Sequence, residues 1–320
     1  VFNAAQVPSM SPIADDEILT PPLSEQSRPA SPAVSFEFFP PTDPAMEVTL
    51  RQSVQRLGPL RPRFVSVTCG ADGSTRGRTA EVVSRLLTET GLTVAPHVTS
   101  IGTSREELCA LARSYWSSGI RHLVALRGDC PSAPAGAPAQ APAGAFPAAS
   151  LAGVEVVETL RGVADFDISV AAYPEVHPQA RSARDDLDQL KRKVDAGATR
   201  AITQFFFDNG AYLRFRDACA QAGIGVPIVP GILPINRFLQ VRRFARRCGT
   251  SLPGWLDALF AGLDEDAETS RLLGAAVLLE QLENLRRHGV GEFHFYTLNR
   301  ADLTYAACHA LGVREAAAAA

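Results

Sequence analysis

Glu37 lies between Phe36 and Phe38 in the run VSFEFF, an ionisable group in an otherwise apolar segment. A carboxyl enclosed by aromatics loses hydration, which raises its pKa toward the range useful to a general acid. Alternation along a strand also admits a plainer reading, with both phenylalanines inward and Glu37 in solvent. Burial of the strand on both faces would favour the acid. The triplet Arg127-Gly128-Asp129 is a second candidate. It can close a loop as a salt bridge, or set a cation and an anion at opposite ends of a polar ring system. His97 and His177, with Glu175, raise the question of a metal, but no HxH or HExxH spacing supports one, and none is expected. His122, His288, His294 and His309 read as packing or surface residues. Lys191-Arg192-Lys193 reads as a solvated helix face, or as a diphosphate contact if the helix approaches a pocket. Phe205-Phe206-Phe207 reads as core.

These residues need elements to hold them. Eight short runs rich in β-branched and aromatic residues begin at Val34–Phe39 and continue at Phe64–Thr68, Thr93–Thr99, His122–Arg127, Ile168–Tyr173, Ala201–Phe207, Val226–Val229 and Glu292–Thr297. Several are nearly continuous in apolar residues, as parallel strands covered on both faces are. Helical patterns separate them. Ser104 and Glu107 form a capping box, Leu108, Leu111, Ala112 and Tyr115 follow on one face, and Gly119 stops the helix. Leu187, Leu190 and Val194 mark another, and 268–288 a third. An extra helix is expected near 255–261. Eight βα units in series predict an α/β fold, a (β/α)8 TIM barrel. The rival open doubly wound sheet lacks its glycine-rich first turn, since Phe38-Phe39-Pro40-Pro41 stands there. In a barrel the chemistry gathers where the strands end. That rule selects Glu37, Thr68 with Cys69-Gly70-Ala71, His97, Thr99, Arg127-Gly128-Asp129, Tyr173, Glu175, His177, Gln204, Asp208, Tyr296, Thr297, Asn299 and Arg300.

Composition bounds the rest. The chain has 320 residues, 46% hydrophobic and 20% charged, with 31 basic and 34 acidic residues and a net charge of −3. There is no basic excess for general nucleic-acid binding. Mean hydropathy is +0.02, and no apolar run approaches a membrane span. The six cysteines lie at least 21 residues apart, so there is no CxxC pair, and reduced thiols in a cytoplasmic protein are expected. Residues 1–32 are rich in Pro, Ser and acids and read as a flexible tail without a secretory pattern. Residues 131–150 are Ala/Pro/Gly-rich and read as a long loop after the fourth strand. With 313–320 as a second tail, residues 33–312 form one domain, close to the roughly 250 residues of a single barrel.

Taken together, VSFEFFPP (34–41), FVSVTCGA (64–71), YWSSGIRHLVALRGD (115–129), AAYPEVHP (171–178), ITQFFFD (202–208) and FHFYTLNR (293–300) make the chain similar to the bacterial methylenetetrahydrofolate reductase family. The resemblance runs from about 34 to 313 in one order, and its motifs are specific as a set. It implies a flavin-dependent barrel that binds FAD and reduces 5,10-methylenetetrahydrofolate to 5-methyltetrahydrofolate with NADH or NADPH, supplying methyl groups for methionine synthesis. Carried over by motif, Glu37 is the general acid that opens the folate ring to an iminium, and Asp129 tunes the flavin and approaches the folate. Thr68, Cys69, Ala71, His97, Arg127, Gly128 and Gly153 are implied on the FAD side. So are Tyr173, His177, Ala180, Asp186, Gln189, Arg192 and Lys193. Thr68 also contacts the nicotinamide. Gln204, Gln240, Phe244 and Arg300 are implied at the folate. The resemblance further implies alternating use of one site by the two substrates and a homo-oligomer, with neither nucleic acid nor membrane as partner.

Four positions depart from the family pattern. Cys69 replaces a tyrosine, Gln189 an asparagine, and Ala152-Gly153 a Tyr-Ala pair. They predict looser FAD binding, or Phe146 as a substitute contact. A Schiff-base aldolase on the same barrel is disfavoured because the only lysines, Lys191 and Lys193, fall on a predicted helix. A barrel keeping FAD without catalysis is disfavoured by retention of both Glu37 and Asp129.

Overall fold

The computed structural model describes residues 31–70, 76–128 and 150–315. Ala71, Asp129, Phe146 and most of the predicted 131–150 loop lie outside the described residues, as do 1–30 and 316–320.

Strands and helices alternate along the chain. They are β1 (Ala33–Phe38), α1 (Pro44–Leu57), β2 (Val65–Val67), α2 (Arg76–Thr90), β3 (Val94–Thr99), α3 (Arg105–Ser117) and β4 (His122–Leu126). Then come α4 (Gly153–Val163), β5 (Asp167–Ala172), α5 (Ala183–Asp195), β6 (Arg200–Thr203), α6 (Asn209–Gln221), β7 (Ile228–Val229) and β8 (Gly231–Ile232). The last are α7 (Phe238–Cys248), α8 (Gly254–Leu259), α9 (Ala267–Arg287), β9 (Glu292–Tyr296) and α10 (Asp302–Ala310). All strand pairs are parallel, in the order β7-β6-β5-β4-β3-β2-β1-β9-β8.

Only Pro230 separates β7 from β8. Proline has no N–H for the ladder, so one strand is divided into two short pieces. The first pairs with β6 and the second with β9, which closes the ring. The seventh run therefore extends past its expected end at Val229 to Ile232, and the fold is the predicted (β/α)8 barrel. The sixth run is shorter than expected. It leaves the sheet at Thr203, because Phe205 and Phe207 turn into a separate apolar cluster with Leu233, Phe238 and Phe260.

Local signals set the helices. Ser104 Oγ accepts from Glu107 N, and the Glu107 carboxylate accepts from Ser104 N at 2.8 Å, completing the capping box. Gly119, Gly197 and Gly289 follow α3, α5 and α9 with positive φ, which glycine adopts without a Cβ clash. The expected extra helix is α8. Outward residues of β1, Val34, Phe36 and Phe38, pack under the helices in the main core, while Phe64, Ala95, Val124 and Ile202 form a smaller cluster of their own.

Candidate active site

Alternation along β1 turns Ser35 and Glu37 away from the phenylalanines and into the barrel. The backbone of Glu37 is fixed from β9: Thr297 donates to the Glu37 carbonyl from Oγ1 at 2.6 Å and from its N–H at 3.3 Å. Asn299, at φ 56°, clamps the next turn, accepting from Phe39 N at 3.0 Å and donating to Phe39 O at 2.9 Å. The strand end carrying the acid is thus tied to the last strand of the barrel.

Two imidazoles flank the carboxylate. His97 Nε2 lies 3.3 Å and His294 Nε2 3.7 Å from Glu37 Oε2. Both rings are buried, and a fifth of the Glu37 side chain stays exposed, on the wall of a cavity. His294 Nδ1 is 2.8 Å from Ser35 Oγ. Register explains the grouping, since Ser35 pairs with His294 and Glu37 with Tyr296 across β1 and β9. The expectation that enclosure raises the Glu37 pKa is corrected here. Burial does push it up, but hydrogen bonding and charge from His294 and His97 outweigh burial and hold the carboxyl down at about 2. The flanking residues in space are histidines, whereas those flanking it in sequence are phenylalanines.

Above this cluster lies a cavity of about 530 Å3. Glu37, Thr68, Cys69, His97, Arg127 and Gly128 line one side, all at or just after the ends of β1 to β4. Gly153, Tyr173, His177, Ala180, Asp186, Gln189 and Lys193 line another, and Gln204 and Phe244 a third. Three predicted residues do not line it. Arg192 is exposed because it lies about 100° around α5 from Lys193. Gln240 on α7 and Arg300 beyond β9 are exposed as well. Sequence reasoning reads His294 as a packing or surface residue and so misses it beside the acid, whereas Tyr296 is among the strand-end residues it selects. Tyr296 donates from Oη to Thr203 O at 2.7 Å and meets the His294 ring edge-on at 5.2 Å.

The donor set suits a dinucleotide. Lys193 Nζ donates to Ala171 O at 2.7 Å, and burial pushes the ammonium down to about 8. The Asp186 carboxylate offsets part of that burial, and an anion placed there would offset more. Arg127, bonded to Gln179, adds a second cation, and Gly128, at φ 86°, lets backbone come close to a ligand. The N-terminus of α4 reaches the same wall at Gly153 and Val154 and offers N–H groups. Tyr173 and His177, edge to face at 4.4 Å, add an aromatic surface. Phe244 stacks on Phe205 at 5.4 Å and presents a ring to the cavity. A larger groove of about 1530 Å3 runs over the outer helices and contains neither Glu37 nor the imidazoles. Among the described residues no cluster could hold a metal ion.

An acid held between imidazoles on the wall of a cavity lined by both cations and carboxylates, at the carboxyl ends of parallel strands, marks the active-site face of a (β/α)8 barrel. The methylenetetrahydrofolate reductase family model matches residues 23–312, and the chain belongs to that family. It is 55% identical over 281 residues to the 5,10-methylenetetrahydrofolate reductase of Salmonella typhimurium, covering 88% of this chain and 91% of that one. The Escherichia coli protein of the same name is 53% identical over the same share of each. The Arabidopsis thaliana methylenetetrahydrofolate reductase (NADH) 1 is 35% identical, over 83% of this chain and 46% of its own. Among solved structures, an uncharacterized Clostridium thermocellum protein that binds two copies of 5-methyl-5,6,7,8-tetrahydrofolic acid superposes with a TM-score of 0.59 at 14% identity. It covers 88% of this chain and 95% of its own and supports the fold alone. Membership supports methylenetetrahydrofolate reductase activity, an oxidoreductase chemistry on a folate. No helix among the described residues is long and apolar enough to cross a membrane.

Proposed function

We propose that the protein is an FAD-dependent reductase that converts 5,10-methylenetetrahydrofolate to 5-methyltetrahydrofolate with NADH or NADPH, feeding methyl groups to methionine synthesis in the cytoplasm. The observation that carries this reading is the Glu37–His97–His294 cluster on the wall of a cavity that Lys193 and Arg127 also line. Bound FAD supplies hydride chemistry that no side chain here can provide. Lys193 and Arg127 neutralise its diphosphate, with Gly128 and Gly153 offering backbone N–H groups and His177, Tyr173, Ala180, Asp186 and Gln189 shaping the rest of the seat. Thr68 and Cys69 close it just after β2, and Arg192, turned away from the cavity wall, is assigned to FAD by the family resemblance alone. Ala71 and Asp129, outside the described residues, belong to the same proposal, with Asp129 as the second catalytic group.

Gln204 offers both a donor and an acceptor to the pterin. Phe244 stacks on the aromatic part of the substrate, and Gln240 and Arg300 hold its far end. Glu37 directs a proton to the folate nitrogen that leaves as the five-membered ring opens. One cavity serves nicotinamide and folate in turn, which gives ping-pong kinetics. The test is spectral. The purified yellow protein should bleach with NADH or NADPH and recover its colour with methylenetetrahydrofolate; bleaching without recovery overturns the reading.

We also propose a homo-oligomer of this chain. The outer face of α9 exposes Leu272 and Leu279 between Glu268 in its first turn and Arg286 and Arg287 in its last. An antiparallel second copy brings leucine to leucine and acid to base.

A further inference from the structure

Helix α7, which presents Phe244 to the cavity, holds four arginines and no acidic residue, and a fifth arginine, Arg237, stands at its N-cap. Other helices set opposite charges four residues apart: Arg184 with Asp188 and Lys191 with Asp195 on α5, and Glu283 with Arg287 on α9. At the same spacing α7 sets like charges, Arg242 with Arg246 and Arg243 with Arg247, which weakens a helix. Arg242 is relieved by Asp257 on α8 at 3.8 Å. Among the described residues no carboxylate lies at ion-pair distance from Arg237, Arg243, Arg246 or Arg247, and all four are exposed. Arg246 and Arg247 gain from the negative end of the helix dipole. Arg237 stands at the positive end and makes no capping bond. Folding therefore gives no reason for Arg237 or Arg243.

Their placement does. Arg237, Gln240, Phe244 and Arg247 recur at i, i+3, i+7 and i+10 along one face of the helix, and Arg243 adjoins that face four residues before Arg247. Phe238, Val241 and Ala245 form the core side. The face that meets the cavity with the Phe244 ring thus continues into solvent as guanidinium groups. Lys193 and Arg127 line other walls of the cavity, so α7 makes a second cationic region. We infer that the arginine face of α7 is an anion subsite at the mouth of the cavity, holding the anionic tail that a substrate trails behind its reacting ring. A guanidinium matches a carboxylate or a phosphate with two parallel N–H bonds. Two tails have this chemistry: the glutamate carboxylates at the end of a folate, and the 2′-phosphate that distinguishes NADPH from NADH. The inference rests on the proposed reductase activity.

The experiment compares the FAD-loaded parent with a double variant, Arg243→Gln with Arg247→Gln. Each half of the reaction is run with two ligands that differ in the anionic tail. Colour recovery uses methylenetetrahydrofolate and its analogue with methylamine in place of glutamate, which ends in a neutral amide. Bleaching uses NADPH and NADH. In the parent, the anionic member of at least one pair should half-saturate at a concentration lower by roughly threefold or more, and rising salt should erode that advantage. The double variant should lose the advantage, and the pair that loses it names the source of the anion. Its urea midpoint should stay at or above the parent's, because one like-charge pair is gone. An advantage absent from the parent, or kept in full by the variant, overturns the inference. Equal weakening of all four ligands with a lowered urea midpoint overturns it too, since that is the mark of a structural role. A parent that bleaches with NADH or NADPH yet shows no folate-driven recovery overturns instead the reductase activity on which the inference rests.

Discussion

At the scale of single residues, the site shows charge being set by neighbours in space. Glu37 is visible in the sequence as an acid set between two phenylalanines of a strand, and its place was legible there. Its ionisation was not. The histidines that hold its carboxyl at about 2 come from β3 and β9, and only barrel closure brings them together. Lys193 shows the same logic with the opposite charge. Its ammonium, held down at about 8 by burial, needs an anion more than a solvated lysine does. Lys193→Met should weaken FAD retention by roughly tenfold or more, since a charge-assisted contact is worth about 1.5–3 kcal/mol. Equilibrium dialysis of the flavin measures this directly, and retention equal to the parent would remove Lys193 from the cofactor seat. Cys69, Ala152, Gly153 and Gln189 all line the cavity, so each departure from the family pattern falls where it would change affinity for the proposed FAD.

At the scale of elements, the eight strands and their order along the chain were readable from apolar runs, caps and terminating glycines. Three details were not. Pro230 divides one strand, the sixth strand stops at Thr203, and Gly231 lies where backbones nearly touch. A Cβ on Gly231 would fall 2.1 Å from Thr203 O and 2.5 Å from the Tyr296 ring. Close approach of this kind depends on neighbours distant in sequence, so local pattern cannot reveal it. Gly231→Ala should cost about 1–3 kcal/mol through overpacking. A denaturant midpoint below that of the parent is expected, and an unchanged midpoint would mean that the strands separate freely. Because Tyr296 also lines the cavity, the same substitution should disturb ligand binding.

At the scale of the molecule, the end of the barrel opposite the site is sealed by charges. Arg200, buried, lies 3.4 Å from Asp167 and 3.1 Å from Glu292, and Arg63 meets Glu292 at 2.8 Å. His122 adjoins Asp167 at 3.6 Å and bonds Ser169 at 2.9 Å. Burial keeps the His122 imidazole below its usual 6.5, and proximity to Asp167 only partly offsets this. The unfolded chain therefore binds more protons than the folded one once pH falls below 6.5, so stability declines from there downward. Glu37 adds a second loss as pH falls from 4.5 toward 2. Urea unfolding across pH should show the first decline in the parent and a flatter profile in His122→Gln; matching profiles would contradict it. The exposed leucines of α9 lead to a separate expectation. Leu272→Glu with Leu279→Glu should lower the sedimentation coefficient to that of a smaller species. A parent that sediments as a monomer would refute the proposed pairing.

The most direct test of the whole account separates the two halves of the reaction in Glu37→Gln. Stopped-flow absorbance would follow the flavin first with NADH, then with methylenetetrahydrofolate. Glu37 should act only in the second half, so bleaching should stay within about twofold of the parent while colour recovery falls by about 10²-fold or more. Recovery at the parental rate, or equal loss of both halves, would contradict the assignment of Glu37 as the acid.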